Sequence, residues 1–156
     1  VVESRYGKSQ LDYERNMVLA VSSIYGIDIL EDNVLECRKR LFDIFNQKYT
    51  NRFKKKLKDK CRVAIKYILE RNIIRGDALT LKTTGDNPQP IVFSEWSPVN
   101  GSMLKRRDFT FRDLLEHESL KEMPLFSDLG EDVFLPTPLK EYPLVHFMEI
   151  TDVDEQ

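Results

Sequence analysis

The sequence is short of the residues that build common reactive centres. Among 156 residues there are two cysteines, two histidines, one tryptophan and six glycines. Cys37 and Cys61 lie in helix-patterned segments with no ligand-like spacing, so a reduced, intracellular chain is the default and a cytoplasmic location is expected. His117 and His146 cannot supply a zinc site by themselves, and no metal is expected. No apolar run approaches the roughly 20 residues that span a bilayer, so no membrane partner is expected. The start, Val1-Val2-Glu3-Ser4-Arg5, lacks the pattern of a signal peptide. It also lacks a methionine, which predicts processing or trimming. No large charge excess is present either. The formal net charge of -2 neither requires nor excludes nucleic acid, because local patches matter more than the total.

What is present suits one folded unit. A chain of 156 residues with 41% hydrophobic content can bury a real core. The pattern predicts a single α/β domain over 1–156, with an irregular extension over 116–156. Residues 1–10 are polar and expected to be irregular. Tyr13, Met17, Val18 and Val21 mark one face of a helix over 11–22. Ser23–Ile29 reads as a strand. Glu31–Phe45 reads as a helix with Val34, Cys37, Leu41, Ile44 and Phe45 inward, acids at its start and bases in its middle. Residues 46–58 are polar and very basic, which predicts a solvated helix face or loop. Asp59–Glu70 is a helix with Cys61, Ala64, Ile65, Ile68 and Leu69 inward. Asn72–Ile74 is a short strand. Residues 82–90 are rich in breakers, and 91–111 form a hairpin, with a short helix or strand end at Phe111–Leu115. Beyond residue 118, Pro124, Pro136, Pro138 and Pro143 separate short apolar pieces such as Val133-Phe134-Leu135. An extended tail is expected, frayed over 151–156.

Two strand-end acids carry the chemistry. Asp28 closes the run Ser23–Leu30, and Asp77 follows Asn72-Ile73-Ile74-Arg75-Gly76. In open α/β sheets ligands bind at the carboxyl ends of the strands. A carboxylate there can accept the hydroxyl hydrogen bonds of a ribose. If the two strands are parallel neighbours, both acids share one edge, with Ile29 and Ala78 beside them. The plainer reading makes Asp28 and Asp32 helix caps and Asp77 a turn residue after Gly76. A glycine-rich turn normally opens a site of this type. Only Gly7 precedes the first strand, so the chain is expected to enter the fold after its cofactor loop.

The segments Ser23-Ile24-Tyr25-Gly26-Ile27-Asp28-Ile29-Leu30-Glu31-Asp32-Asn33-Val34, Glu36-Cys37-Arg38-Lys39-Arg40-Leu41 and Arg71-Asn72-Ile73-Ile74-Arg75-Gly76-Asp77-Ala78-Leu79 resemble adenine-specific DNA methyltransferases of restriction-modification systems, in the type II and fused restriction-methylase group. The resemblance spans roughly residues 15–115. It implies a partial Rossmann-like S-adenosylmethionine-dependent methyltransferase fold, with a methyltransferase-like core over 11–115, a C-terminal hairpin and an extended tail. It implies that Asp28 takes the ribose hydroxyls, Ile29 packs on the adenine, and Asp77 accepts from the adenine amine beside Ala78. The family's glycine-rich loop is absent. So is its Asn/Asp-Pro-Pro-Tyr/Phe tetrapeptide, which holds a flipped adenine. The nearest substitute, Ser94-Glu95-Trp96-Ser97-Pro98, has the wrong order, and Trp96 is expected to pack in the hairpin. No catalytic residue is therefore assigned.

The implied function is part of a DNA adenine-N6 methyltransferase, inactive alone and binding S-adenosylmethionine weakly. The expected partner is a second copy or a chain that supplies the missing motifs. DNA is admitted by the basic residues 48–58 and by Lys105-Arg106-Arg107, which can meet phosphates or form the outer face of a strand. The alternative is a non-catalytic DNA-binding or protein-interaction module derived from the same fold.

Overall fold

The computed structural model describes residues 9–121 and 136–155. Residues 1–8, Pro124 and Val133–Leu135 lie outside the described residues. The first helix, α1 (Gln10–Ser22), is capped by Ser9 and buries Tyr13, Val18 and Val21, as its apolar spacing predicts. Ser23 ends that helix, and the Ile24 N–H donates to the Val21 carbonyl at 3.0 Å. The strand that follows is therefore shorter than expected: β1 is Gly26–Asp28.

Helix α2 (Glu31–Phe53) runs past the expected end at Phe45 and absorbs most of the basic stretch. A short 3-10 turn, Lys54–Lys56, finishes it, with Lys54 at φ 46. Its buried positions are Val34, Phe45 and Tyr49, with Leu41 and Phe42 packed against the core. Cys37 is exposed and Ile44 is 54% exposed, contrary to the expected face. The aromatic residues explain the rotation. Phe45 and Tyr49 stack at 5.3 Å, and Tyr49 lies 6.5 Å from Tyr13 of α1. Aromatic rings bury more apolar area than Cys37 or Ile44, so they set the inward stripe.

Helix α3 (Asp59–Asn72) buries Cys61, Ala64, Ile65, Ile68 and Leu69 as expected, together with Tyr67 and Asn72. It leads directly into β2 (Ile73–Arg75). β2 lies parallel to β1, with Gly26 opposite Ile73, Ile27 opposite Ile74 and Asp28 opposite Arg75. Parallel neighbours need a long crossover, and α2 and α3 supply it. Arg38 of α2 fastens the crossover to the sheet by donating from Nε and Nη2 to the Ile73 carbonyl at 2.9 and 2.6 Å.

Strands β3 (Val92–Asn100) and β4 (Met103–Thr110) form the expected antiparallel hairpin, turning at Gly101 with φ 54. Helix α4 (Phe111–Lys121) follows. Two short strands, β5 (Lys140–Glu141) and β6 (Val145–His146), add to β4. The end is not frayed where it is described. Phe147–Glu155 forms 3-10 turns, kinked at Glu149. Phe147, Ile150 and Val153, spaced by three, are buried against the core, which suits the three-residue repeat of that helix.

The result is a mixed α/β domain with a small parallel pair and a separate antiparallel sheet. The main core joins α1, α2, α3, Trp96 and Leu104 of the hairpin, and the closing 3-10 segment. No described helix is long and apolar enough to cross a membrane.

Candidate functional site

The parallel pair brings the two predicted acids to one edge. Asp28 ends β1, and its carbonyl accepts from the Gly76 N–H at 2.9 Å, one residue beyond β2. Asp77 is the next residue. Adjacent strands lie about 4.8 Å apart, so both acids stand at the carboxyl ends of neighbouring parallel strands.

Both carboxylates also do local work. Asp28 Oδ1 accepts from the Leu30 N–H at 2.8 Å, and its Oδ2 accepts from Asn33 Nδ2 at 3.1 Å. Leu30, the residue before α2, makes no side-chain cap bond, and Asp28 instead closes an Asx-type turn on the Leu30 N–H and ties the Asn33 side chain to the strand end. Asp77 Oδ1 accepts from the N–H groups of Leu79 and Thr80 at 2.8 and 3.4 Å. The turn is closed by backbone bonds between Asp77 and Lys82 and between Leu81 and Asp77. The plainer expectation holds for Asp77 as a turn residue, whereas neither Asp28 nor Asp32 caps α2. Asp32 accepts from its neighbour's N–H, Asn33, at 3.0 Å.

Those bonds leave acceptor capacity. An ionised carboxylate has about four lone-pair positions. Asp28 uses one on each oxygen, and no hydrogen bond among the described residues reaches Asp77 Oδ2. Ile29 is 55% exposed, Ala78 is exposed, and Leu79 is 95% exposed. Apolar side chains therefore stand bare on either side of the acids. The edge carries more acids than bases among the described residues: Asp28, Glu31, Asp32 and Asp77 against Arg75, which pairs with Glu31 at 3.5 Å, and Lys82, which is bridged to Asp77 through the backbone. Such an edge favours ligands that present hydroxyl or amine donors or a positive charge, and disfavours phosphates.

Sequence reasoning placed Asp28, Ile29, Asp77 and Ala78 together but missed Asn33, Arg75 and Leu79. The position of Asn33 in the first turn of α2, five residues after Asp28, was the available signal for its bond. The exposure of Leu79 has no counterpart in its apolar character.

The other sequence candidates resolve into structural roles. Trp96 is buried in the core, and its Nε1 donates to Asn72 Oδ1 at 3.1 Å. Glu95 accepts from Arg107 Nε at 3.0 Å and from the Ser97 hydroxyl. Lys105 pairs with Glu141 at 3.2 Å, while Arg106 is buried and paired with Asp108 at 3.0 Å. The 105–107 cluster is thus compensated by acids. Among the described residues no group of three His, Cys, Asp or Glu side chains is placed to hold a metal ion. Cavities of about 330 and 410 Å³ open elsewhere, and neither includes Asp28 or Asp77.

No family model, curated protein or solved structure matches the chain.

Proposed function

We propose that the chain is the ribose- and adenine-binding part of an S-adenosylmethionine-dependent DNA adenine-N6 methyltransferase of a restriction-modification system, catalytically inert by itself. The observation that carries this reading is the pair of strand-end acids, Asp28 and Asp77, joined across parallel strands by the Gly76–Asp28 hydrogen bond. In this reading the fold is part of a Rossmann-like sheet, with β1 and β2 as neighbouring strands of the cofactor domain.

The residues fit the cofactor's chemistry. Asp28 accepts the ribose hydroxyls with its remaining lone pairs. Asp77 accepts from the adenine amine through Oδ2. Ile29 and Leu79 supply apolar contact to the base, with Ala78 leaving room beside it. The acidic edge tolerates a sulfonium cation and no phosphate. The cofactor, once bound, would supply the methyl group. This chain's share is to hold and orient the nucleoside.

Titration calorimetry with S-adenosylmethionine, combined with backbone NMR shifts, tests the reading. The expected result is weak binding, tens of micromolar or weaker, with shifts at residues 28–30 and 77–80. It should be lost in Asp28→Asn. Sub-micromolar binding would overturn the claim that the chain holds only part of the site. Binding unchanged in Asp28→Asn, or no shift at either acid, would overturn the site itself.

A further inference from the structure

The hairpin has two faces, and only one of them meets the main core. Successive residues of a strand point to opposite sides. Trp96 and Leu104 belong to the core face. Phe93 pairs with Phe109 across the hairpin, and Glu95 pairs with Arg107, so these four stand together on the other face. Phe93 and Phe109 are only 4% and 1% exposed, yet they lie outside the main core. A second, smaller apolar cluster forms there.

That cluster surrounds a cavity of about 330 Å³. Its walls are the rings of Tyr25, Phe93, Phe109 and Phe111 and the Leu114 side chain, with Glu95 beside them. The walls are held in place. The Tyr25 hydroxyl donates to the Ser94 carbonyl at 2.8 Å. Tyr25 meets Phe93 edge to face at 5.3 Å, and Phe93 meets Phe111 likewise at 5.4 Å. Burial, and then the nearby Glu95 charge, push the Tyr25 phenol up to about 12, so its hydroxyl keeps its proton near neutral pH. Glu95 accepts from Arg107 Nε at 3.0 Å and from the Ser97 hydroxyl, so its charge is offset.

Size and chemistry select the occupant. Small-molecule pockets usually enclose about 300–1,000 Å³, so this one stands at the small end of that range. An apolar cavity of about 150 Å³ stays dry and accepts benzene. A volume of about 330 Å³ leaves room for two fused rings. A polar group sent among the walls would exchange hydrogen bonds with water for contact with carbon, which is costly. An aromatic ring gains instead. Phe93 lies at 83° to Tyr25 and at 89° to Phe111, and perpendicular rings offer a flat guest both a face and an edge to meet. We infer that this cavity binds a small neutral aromatic molecule of one or two rings, seated among Tyr25, Phe93 and Phe111. The inference does not rest on the nucleoside reading, because neither Asp28 nor Asp77 lines the cavity.

Naphthalene, toluene, 2-naphthoate and 2-naphthylmethylammonium, each titrated into the whole chain and followed by NMR, test this. Naphthalene should bind saturably, with nuclear Overhauser contacts from its protons to the rings of Tyr25, Phe93 and Phe111. It should bind about fivefold or more tightly than toluene, because it buries more apolar area. It should bind at least as tightly as either charged derivative. Leu114→Trp, which fills the cavity, should weaken naphthalene binding about tenfold or more. The contacts seen in the unaltered chain decide the matter even where that variant fails to fold. No saturable binding, or contacts confined to other surfaces, would overturn the proposal. So would unchanged binding in a folded Leu114→Trp chain. A preference of about tenfold or more for a charged derivative would overturn the assigned class, because Glu95 or Arg107 would then select the ligand. Asp28→Asn, which tests the nucleoside reading, should leave naphthalene binding unchanged.

Discussion

The Gly76 N–H donates to the Asp28 carbonyl at 2.9 Å, and this bond sets the two strand-end acids side by side. Gly76 can occupy that position because it has no side chain. A Cβ there would lie 2.6 Å from Ile91 Cδ1 and 3.2 Å from the Lys82 carbonyl oxygen. Ile91 is fully buried, and the Lys82 oxygen belongs to the turn after Asp77. Gly76→Ala should therefore destabilise the domain by about 1–3 kcal/mol through overpacking. Urea unfolding measures it. A loss below about 0.5 kcal/mol would mean that the turn shifts freely, and that the acids are not held in register by this contact.

Asp28 has a structural role and a proposed binding role, and substitution can separate them. Its carboxylate holds the turn into α2 through the Leu30 N–H and the Asn33 side-chain amide. Asn can accept the same Leu30 bond, whereas Ala cannot. Asp28→Ala should cost about 0.5–1.5 kcal/mol, the net worth of a lost hydrogen bond. Asp28→Asn should cost little and yet lose the charged acceptor for ribose hydroxyls. Comparing the urea midpoints of the two variants settles the structural role: equal midpoints would show that the side chain contributes nothing to the turn before α2.

Much of this architecture was legible because short-range pattern and burial agree. The inward face of α3 follows the spacing of Cys61, Ala64, Ile65, Ile68 and Leu69, and the hairpin follows its apolar alternation around Gly101. The meeting of Asp28 with Asp77 was also legible, since each acid ends a strand-like run. What escaped depends on partners distant in sequence. The inward stripe of α2 is chosen by the packing of Phe45 and Tyr49 toward Tyr13, not by its own periodicity. Buried Glu14 is tolerated only because Tyr49, Lys58 and Gln10 surround it. The Tyr25 cavity is assembled from a residue before β1, both hairpin strands and α4. No local window contains such information.

Glu14 illustrates the consequence for stability. Fully buried, it accepts from the Tyr49 hydroxyl at 2.5 Å, from Gln10 Nε2 at 2.8 Å and from Lys58 Nζ at 3.1 Å. Burial, and then this bond, hold the Tyr49 phenol well above its ordinary range. Glu14→Leu should leave the buried Tyr49 O–H without its acceptor, although the Tyr49 oxygen still accepts from the Lys58 N–H at 3.0 Å, and cost about 1–3 kcal/mol. Tyr49→Phe removes that O–H and also the acceptor of the Lys58 N–H; because the two single changes break the same Tyr49–Glu14 bond, the double variant should cost less than their sum. Strict additivity in a double-mutant cycle would refute the coupling.

The two cysteines should report the fold by opposite behaviour. Cys37 is exposed on α2, while Cys61 is fully buried in α3. A thiolate is the reactive form. Burial first, and then the Glu14 charge, push the Cys61 thiol from 9.0 up to about 12. At pH 8 an aromatic disulfide reagent should titrate one thiol in the folded chain and two in urea. The same shift makes stability depend on pH. Between about pH 9 and 12 the unfolded chain has lost the Cys61 proton while the folded chain keeps it, so stability is intact below pH 9 and falls as pH rises. From pH 9 to 10.5 the loss attributable to Cys61 should be about 1–2 kcal/mol, at roughly 1.4 kcal/mol per unit. Tyr25 and Tyr49, both raised from an ordinary 10.0, add to the decline as pH approaches and passes 10, so over the interval between pH 9 and 10 the thiol's share is the difference between the native chain and Cys61→Ala. Cys61→Ala should be less stable at pH 7 because of the cavity it leaves, yet its stability should fall less steeply across that interval. An identical slope in the two proteins, measured by urea unfolding at successive pH values, would show that Cys61 is not shielded from water in the folded state.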